Sequence, residues 1–154
     1  MRIIAFDVGE RRIGVAISDA TGTLARPVGR LCPAGIEGDG SRLAVAEVTR
    51  LASEEDGVSS IVVGLPCHLD GSPSAMTARV TAFAAELGRL TRLPVALQDE
   101  RLTSREAESR LAMTEKDWRV RKERLDAAAA AIILQDYLDA RPTGPLRLAA
   151  DSET

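Results

Sequence analysis

Aromatic side chains are scarce: one Trp, one Tyr and two Phe make up 3% of the 154 residues. Extended platforms on which successive bases stack are therefore not expected. The two cysteines, Cys32 and Cys67, stand far apart with no Cys-x-x-Cys pattern, and His68 is the only histidine. Neither a zinc site nor a disulfide scaffold is suggested, and free thiols in the cytoplasm are the expectation. No apolar run approaches the roughly 20 residues of a membrane span, so no membrane partner is expected. The opening "MRIIAFDVG" carries a charge on each side of a short apolar run and reads as a first strand, not a signal peptide. A basic excess is missing as well. The net charge of −3 argues against a generally basic nucleic-acid-binding surface.

What is present is ordinary for one globular domain, with 45% hydrophobic and 28% charged residues in a chain long enough to bury a substantial core. Charge is uneven, however. Arg101 to Leu125 holds eight Lys/Arg against five Asp/Glu, a net of +3, which leaves −6 for the rest. A phosphate-facing patch on an acidic body has this form, and so does a solvated amphipathic helix with its loop.

Three short β-rich runs come first: "RIIAFDVG", "RIGVAISD" and "LARPVGRL", the last marked as an edge by Pro27. Their short connections predict an antiparallel meander. Ser41 is a candidate N-cap for a helix to about Glu55. "SSIVVGLP" is a continuous apolar run, the pattern of a strand buried on both faces. Helical periodicity then runs from Ser74 to about Thr91, followed by a short strand, Pro94 to Asp99. Thr103 and Glu106 form a capping box at the start of "TSREAESRLAM". "TEKDWRVRK" reads as irregular, a last helix follows, and residues 141–154 read as a flexible tail. Parallel strands joined by helical crossovers make an α/β layered sheet, with sites at the carboxyl ends of the parallel strands.

The last helix poses a question. "RKERLDAAAAAIILQDYLDA" has no Gly or Pro, and Ala127 to Leu134 offers no polar side chain on any face. Asp126 opens that run, in line with Ala129, Ala130, Ile133 and Tyr137. It could be an exposed charge balancing Lys122 or the helix dipole. It could instead share a site with Asp7, which closes the first strand, and Glu100, which follows the last. Small Ala side chains would let the helix backbone approach the sheet. Carboxylates converging in a cleft must be neutralised by protons, basic groups or cations. An all-oxygen set favours Mg²⁺ or Mn²⁺, and such ions assist in-line displacement at phosphorus. A metal-dependent phosphodiester hydrolase is the reaction class that follows.

"FDVGERRIGVAISD", "GTLARP", "VVGLPCHLDGS", "DERLTS" and "LDAAAAAIILQDYL" together resemble the YqgF family, also called RuvX, over Arg2 to about Ala140. The resemblance implies an RNase H-like fold over residues 1–140, with a five-stranded mixed sheet in the order 3-2-1-4-5 and helices on both faces. It implies a nuclease that matures the 5′ end of precursor 16S ribosomal RNA or resolves Holliday junctions. The family's acidic site falls on Asp7, Glu100 and Asp126. Junction resolution needs two paired cuts, most simply from a two-fold homodimer. Where relatives commonly carry an apolar residue and Asn, this chain has Cys67-His68.

Candidate nucleic-acid contacts are Arg11 and Arg12 just past Asp7, Arg101 beside Glu100, and Arg119, Arg121 and Lys122 in the basic stretch. Each has a plainer reading as a solvated charge. Gly9 and Gly14 admit close approach of a phosphate backbone or simple turn and strand packing. Asp70 is first a turn residue, His68 sits in a loop, and Trp118 could stack on a base or pin its own segment. Two rival functions stand beside the nuclease. One is a phosphotransferase of the actin-like kind, whose strand-Asp-x-Gly-turn-strand opening is similar but which closes two such domains on a nucleotide. The other is a non-catalytic ribosome-assembly or nucleic-acid-binding module.

Overall fold

Side-chain alternation explains the sheet. The first three strands, β1 (Arg2–Val8), β2 (Ile13–Ser18) and β3 (Ala25–Leu31), form the expected antiparallel meander. Helix α1 (Ser41–Ala52) leads into β4 (Val58–Leu65), which lies parallel to β1. Helix α2 (Thr77–Thr91) crosses over to β5 (Val95–Asp99), parallel to β4, and the last helix is α3 (Trp118–Ala140). The strand order is β3-β2-β1-β4-β5, as the resemblance implied. This computed structural model describes residues 1–33, 40–66, 72–99 and 118–140, with the side chains of α3 from Asp126 onward.

Each face of the sheet buries a different set of residues. Ile4, Phe6 and Val8 of β1 point toward α1 and α2, where Phe6 meets Phe83 edge-to-face with ring centroids 6.2 Å apart. Ile3 and Ala5 of β1, Ala16 of β2 and Val62 of β4 point the other way, onto Ala130, Ile133, Leu134 and Leu138 of α3. On the α3 side the sheet contributes smaller residues, Ala5, Ala16 and Val62 among them, and the helix contributes Ala130. That helix can therefore lie close against the sheet, whereas the α1/α2 side needs branched and aromatic side chains to fill the gap. The long apolar run of α3 is largely buried, with only Ala128 and Ala131 between Ala127 and Leu134 part-exposed.

Two anchors fix the alignment of these layers. The buried Arg2 guanidinium donates to the carbonyls of Gly57 (3.2 Å) and Leu51 (3.0 Å) and to Glu54 (2.9 Å), tying the start of β1 to the end of α1 and the turn before β4. On the other face, Gln135 of α3 accepts from the Ala25 amide (2.9 Å) and donates to the Thr23 carbonyl (2.9 Å). That pins α3 beneath the beginning of β3.

Three expected boundaries move. Gly40, not Ser41, holds the cap position of α1; its backbone is already helical (φ −61, ψ −48), so Ser41 enters the first turn and no side chain caps it. Helix α2 begins at Thr77, because Ser74 forms the preceding turn: its amide donates to Thr77 Oγ1 (2.7 Å) and its carbonyl accepts from the Thr77 amide (3.2 Å). Helix α3 begins at Trp118, so residues 118–122 are helical and not irregular; nothing in "WRVRK" breaks a helix, and its propensity extends the helix backward. The capping box at Thr103 and the tail 141–154 lie outside the described residues. Among the described residues no helix is long and apolar enough to cross a membrane.

A candidate active site at the α3 face of the sheet

Strand parity gives Asp7 its direction. Ile3 and Ala5 face α3, and Asp7 continues that series one pleat farther along β1, at the strand's carboxyl end. Directly across from Asp7 on β2 is Gly14, and across from Gly14 on β3 is Arg30. The three residues form one row across the sheet, Arg30–Gly14–Asp7, with no side chain in its middle.

Helix α3 fills that gap. A Cβ added to Gly14 would lie 1.9 Å from the carbonyl oxygen of Asp126 and 2.7 Å from its carbonyl carbon. The missing side chain is what lets the helix backbone reach the sheet beside Asp7. Asp126 is consequently not a surface charge: its side chain is 25% exposed and its Oδ2 lies 3.4 Å from Nη1 of Arg30. At that separation the contact is a charge pairing more than a hydrogen bond.

Arg30 was not among the residues singled out from the sequence. Its orientation depends on a bulge. Ala16 pairs with Pro27 but Val15 pairs with Gly29, so Val28 is an extra residue in β3. Ala25 packs toward α3, and simple alternation from there would turn Arg30 away from it. The bulge shifts the phase by one and returns Arg30 to the α3 side.

Asp7 and Asp126 line one cavity of about 300 Å³ together with Gly9, Glu10, Arg11 and Arg12. The β1–β2 turn shapes its rim, closed by the Gly9 amide donating to the Arg12 carbonyl at 2.8 Å. A Cβ on Gly9 would sit 3.2 Å from that same carbonyl oxygen, so the turn itself accounts for this glycine. Arg11 and Glu10 are exposed, whereas Asp7 and Arg12 are half-buried. Acidic and basic groups are thus interleaved around the cavity, with Glu10 and Arg11 the most exposed.

The structure brings together four of the predicted site residues: Asp7, Asp126, Arg11 and Arg12. Glu100 and Arg101 lie outside the described residues, as do His68 and Asp70. Arg119, Arg121 and Lys122 are on the first turns of α3, where only the backbone is described; the helical repeat sets Arg119 and Lys122 in line with Asp126. Asp99 shares the parity of Val95, which packs on the α1/α2 core, so it belongs to the opposite face from Asp7. Among the described residues no group of three or more acidic, His or Cys side chains could hold an ion. Two carboxylates from separate elements suit a hard, partly hydrated cation, since Mg²⁺ is commonly bound through one or two carboxylates with water and phosphate completing the shell. Among the described residues neither His nor Cys lines the cavity.

Comparison with known proteins bears on the family and the fold. A family model described as "RuvX: Holliday junction resolvase" matches residues 1–140. A protein of Chloroflexus aurantiacus named "Putative pre-16S rRNA nuclease" is 44% identical over 94% of this chain and 91% of its own length. One of the same name from Dechloromonas aromatica is 39% identical over 89% of this chain and 90% of its own. Among solved structures, the fowlpox virus Holliday junction resolvase superposes with a TM-score of 0.56 at 15% identity, covering 91% of this chain and 99% of that one. RuvC of Thermus thermophilus in complex with a Holliday junction gives a TM-score of 0.51 at 15% identity, over 91% and 94%. These likenesses establish the RNase H-like fold of the resolvases, and with the close match in sequence the chain belongs to the RuvX (YqgF) family.

Proposed function

We propose that the protein is a divalent-metal-dependent nuclease that hydrolyses phosphodiester bonds in structured nucleic acid. The observation that carries this reading is the meeting of Asp7 and Asp126, which are 119 residues apart in sequence, on the wall of one cavity rimmed by arginines. Asp7 and Asp126 would hold the ion, Mg²⁺ or Mn²⁺, with Glu100 as a third carboxylate. When bound, such an ion clamps a phosphate oxygen, activates a water and stabilises the leaving oxygen.

The chain's own residues perform the rest. Arg11 and Arg12 would grip the phosphates flanking the scissile bond, since they stand at the mouth of the same cavity. Arg101, Arg119, Arg121 and Lys122 would extend that track along the backbone. The rigid sheet holds Asp7, and the close seat of α3 over Gly14 holds Asp126, so both ligands are pre-positioned. The names of the relatives favour the 5′ end of precursor 16S ribosomal RNA as substrate, and the family description favours a four-way DNA junction. The first assigns the protein to ribosome biogenesis in the cytoplasm; the second calls for two copies related by a two-fold axis.

Offering the purified protein both substrates, a precursor 16S fragment and a four-way junction, with Mg²⁺ or Mn²⁺ separates these. Cleavage of either should be nearly abolished by Asp7→Asn, Glu100→Gln or Asp126→Asn, each of which removes charge without changing shape. Binding without cleavage of either substrate by the wild type would contradict a nuclease, and wild-type rates in Asp126→Asn would remove α3 from the active site.

A further inference from the structure

We infer that Arg30 is a built-in counter-cation of the site, holding Asp126 when no ion is bound and competing with an arriving divalent ion for that carboxylate. The inference deepens the metal reading above and rests on it. Two carboxylates on one cavity wall repel, so a protein without its ion needs positive charge nearby. Arg30 is so placed by three features of the fold: the bulge at Val28, its pairing with Gly14, and the absence of a side chain there. Its guanidinium approaches Asp126 along the same row that holds Asp7.

The contact is suited to exchange. It is a single approach of 3.4 Å, not the two parallel hydrogen bonds by which Arg grips a carboxylate firmly. Among the described residues Arg30 engages one carboxylate oxygen of Asp126, and both side chains remain about one-quarter exposed, at 26% and 25%. Water and an ion can therefore reach Asp126 from the cavity side. A tighter fork would block the ion, and without Arg30 compensation of Asp126 would fall to Arg11 and Arg12 of the same cavity. Arg30 acts through Asp126 and is a positioning residue, not a catalytic one.

The test is the affinity of the full-length protein for Mn²⁺, read from the electron paramagnetic resonance signal of free ion, in wild type, Arg30→Gln, Arg30→Lys and Asp126→Asn. Removing a unit charge several ångströms from the ion should tighten Mn²⁺ binding roughly tenfold in Arg30→Gln. Arg30→Lys, which keeps the charge, should stay near wild type. In EDTA, Arg30→Gln should melt below wild type, and saturating Mn²⁺ should raise its melting temperature by more than it raises that of wild type. A merely structural arginine would lower the melting temperature without tightening Mn²⁺ binding. Unchanged or weaker affinity in Arg30→Gln overturns the inference, as does Lys behaving like Gln. If wild type binds no Mn²⁺, or Asp126→Asn binds it equally well, the two-carboxylate ion site itself falls, and this inference with it.

Discussion

Gly14→Ala places a methyl group where the backbone of α3 now lies. The added carbon would start 1.9 Å from the Asp126 carbonyl oxygen, whereas real contacts of this kind essentially never fall below 3.0 Å. The helix must therefore retreat by about 1 Å at Asp126, or β2 must bend away from it. The obstruction is backbone and cannot rotate aside. Overpacking of this sort costs roughly 1–3 kcal/mol, and the gain from a less flexible unfolded chain, about 0.4–1 kcal/mol, offsets only part of it. For a chain of this size the net loss lowers the melting temperature by roughly 2–8 °C. The effect on chemistry should be larger, since a misplacement of about 1 Å can cost on the order of a hundredfold in rate. Thermal melts and single-turnover cleavage should be measured alongside Ile133→Val, which trims the same helix's core contact at roughly 0.5–1.5 kcal/mol without pushing its backbone. The control should lose stability and keep its cleavage rate. Wild-type cleavage by Gly14→Ala would refute the argument that the close seat of α3 sets the position of Asp126.

Neutralising Arg11 and Arg12 together should weaken binding across sequences and reduce the slope of log affinity against log salt by about 1.5–2, since two fewer phosphates are neutralised; an unchanged slope would return them to ordinary turn charges. The same titration on Arg119, Arg121 and Lys122, neutralised together, should give a comparable flattening. Away from the site, the Asp19 carboxyl is held below its ordinary value of 3.8, first by the Thr23 amide and then by the Thr21 hydroxyl. Its folded value is depressed, so the contribution to the β2–β3 turn is present above pH 3.8 and is lost as pH falls through the folded value. The Thr23 amide resonance should report that titration with a midpoint below 3.8, and a midpoint at or above it would contradict the turn geometry.

Much of the site could be read in the chain before folding because it follows from local periodicities. Asp7 ends an alternating strand in phase with Ile3 and Ala5, and Asp126 begins a helical run with no polar side chain for eight residues. A carboxylate in line with a buried stripe needs a partner, and the sheet's carboxyl end supplies one. Arg30 escaped the same logic for a physical reason. Its facing depends on an extra residue at Val28, and a bulge is a property of the pairing between β2 and β3, which neither strand reveals alone. Gly14 was open to several readings for a similar cause: what excludes its side chain is a helix that begins more than 100 residues later. The beginning of α1 was misplaced because Ser41 has the chemistry of a cap, whereas Gly40 already has the helical backbone that moves the cap position upstream.

The central claim, that Asp7 and Asp126 share one divalent ion, is tested most directly by melting wild type, Asp7→Asn and Asp126→Asn in EDTA and in saturating Mn²⁺, with no substrate present. Ion at a hundred times its dissociation constant stabilises a native state by about 2.7 kcal/mol. In a chain of this length that is a rise of roughly 5–10 °C. Wild type should show that rise, and each variant should lose most of it, because each removes a charged ligand that Glu100 and the remaining aspartate do not replace. Equal Mn²⁺ shifts in all three proteins would contradict a shared site.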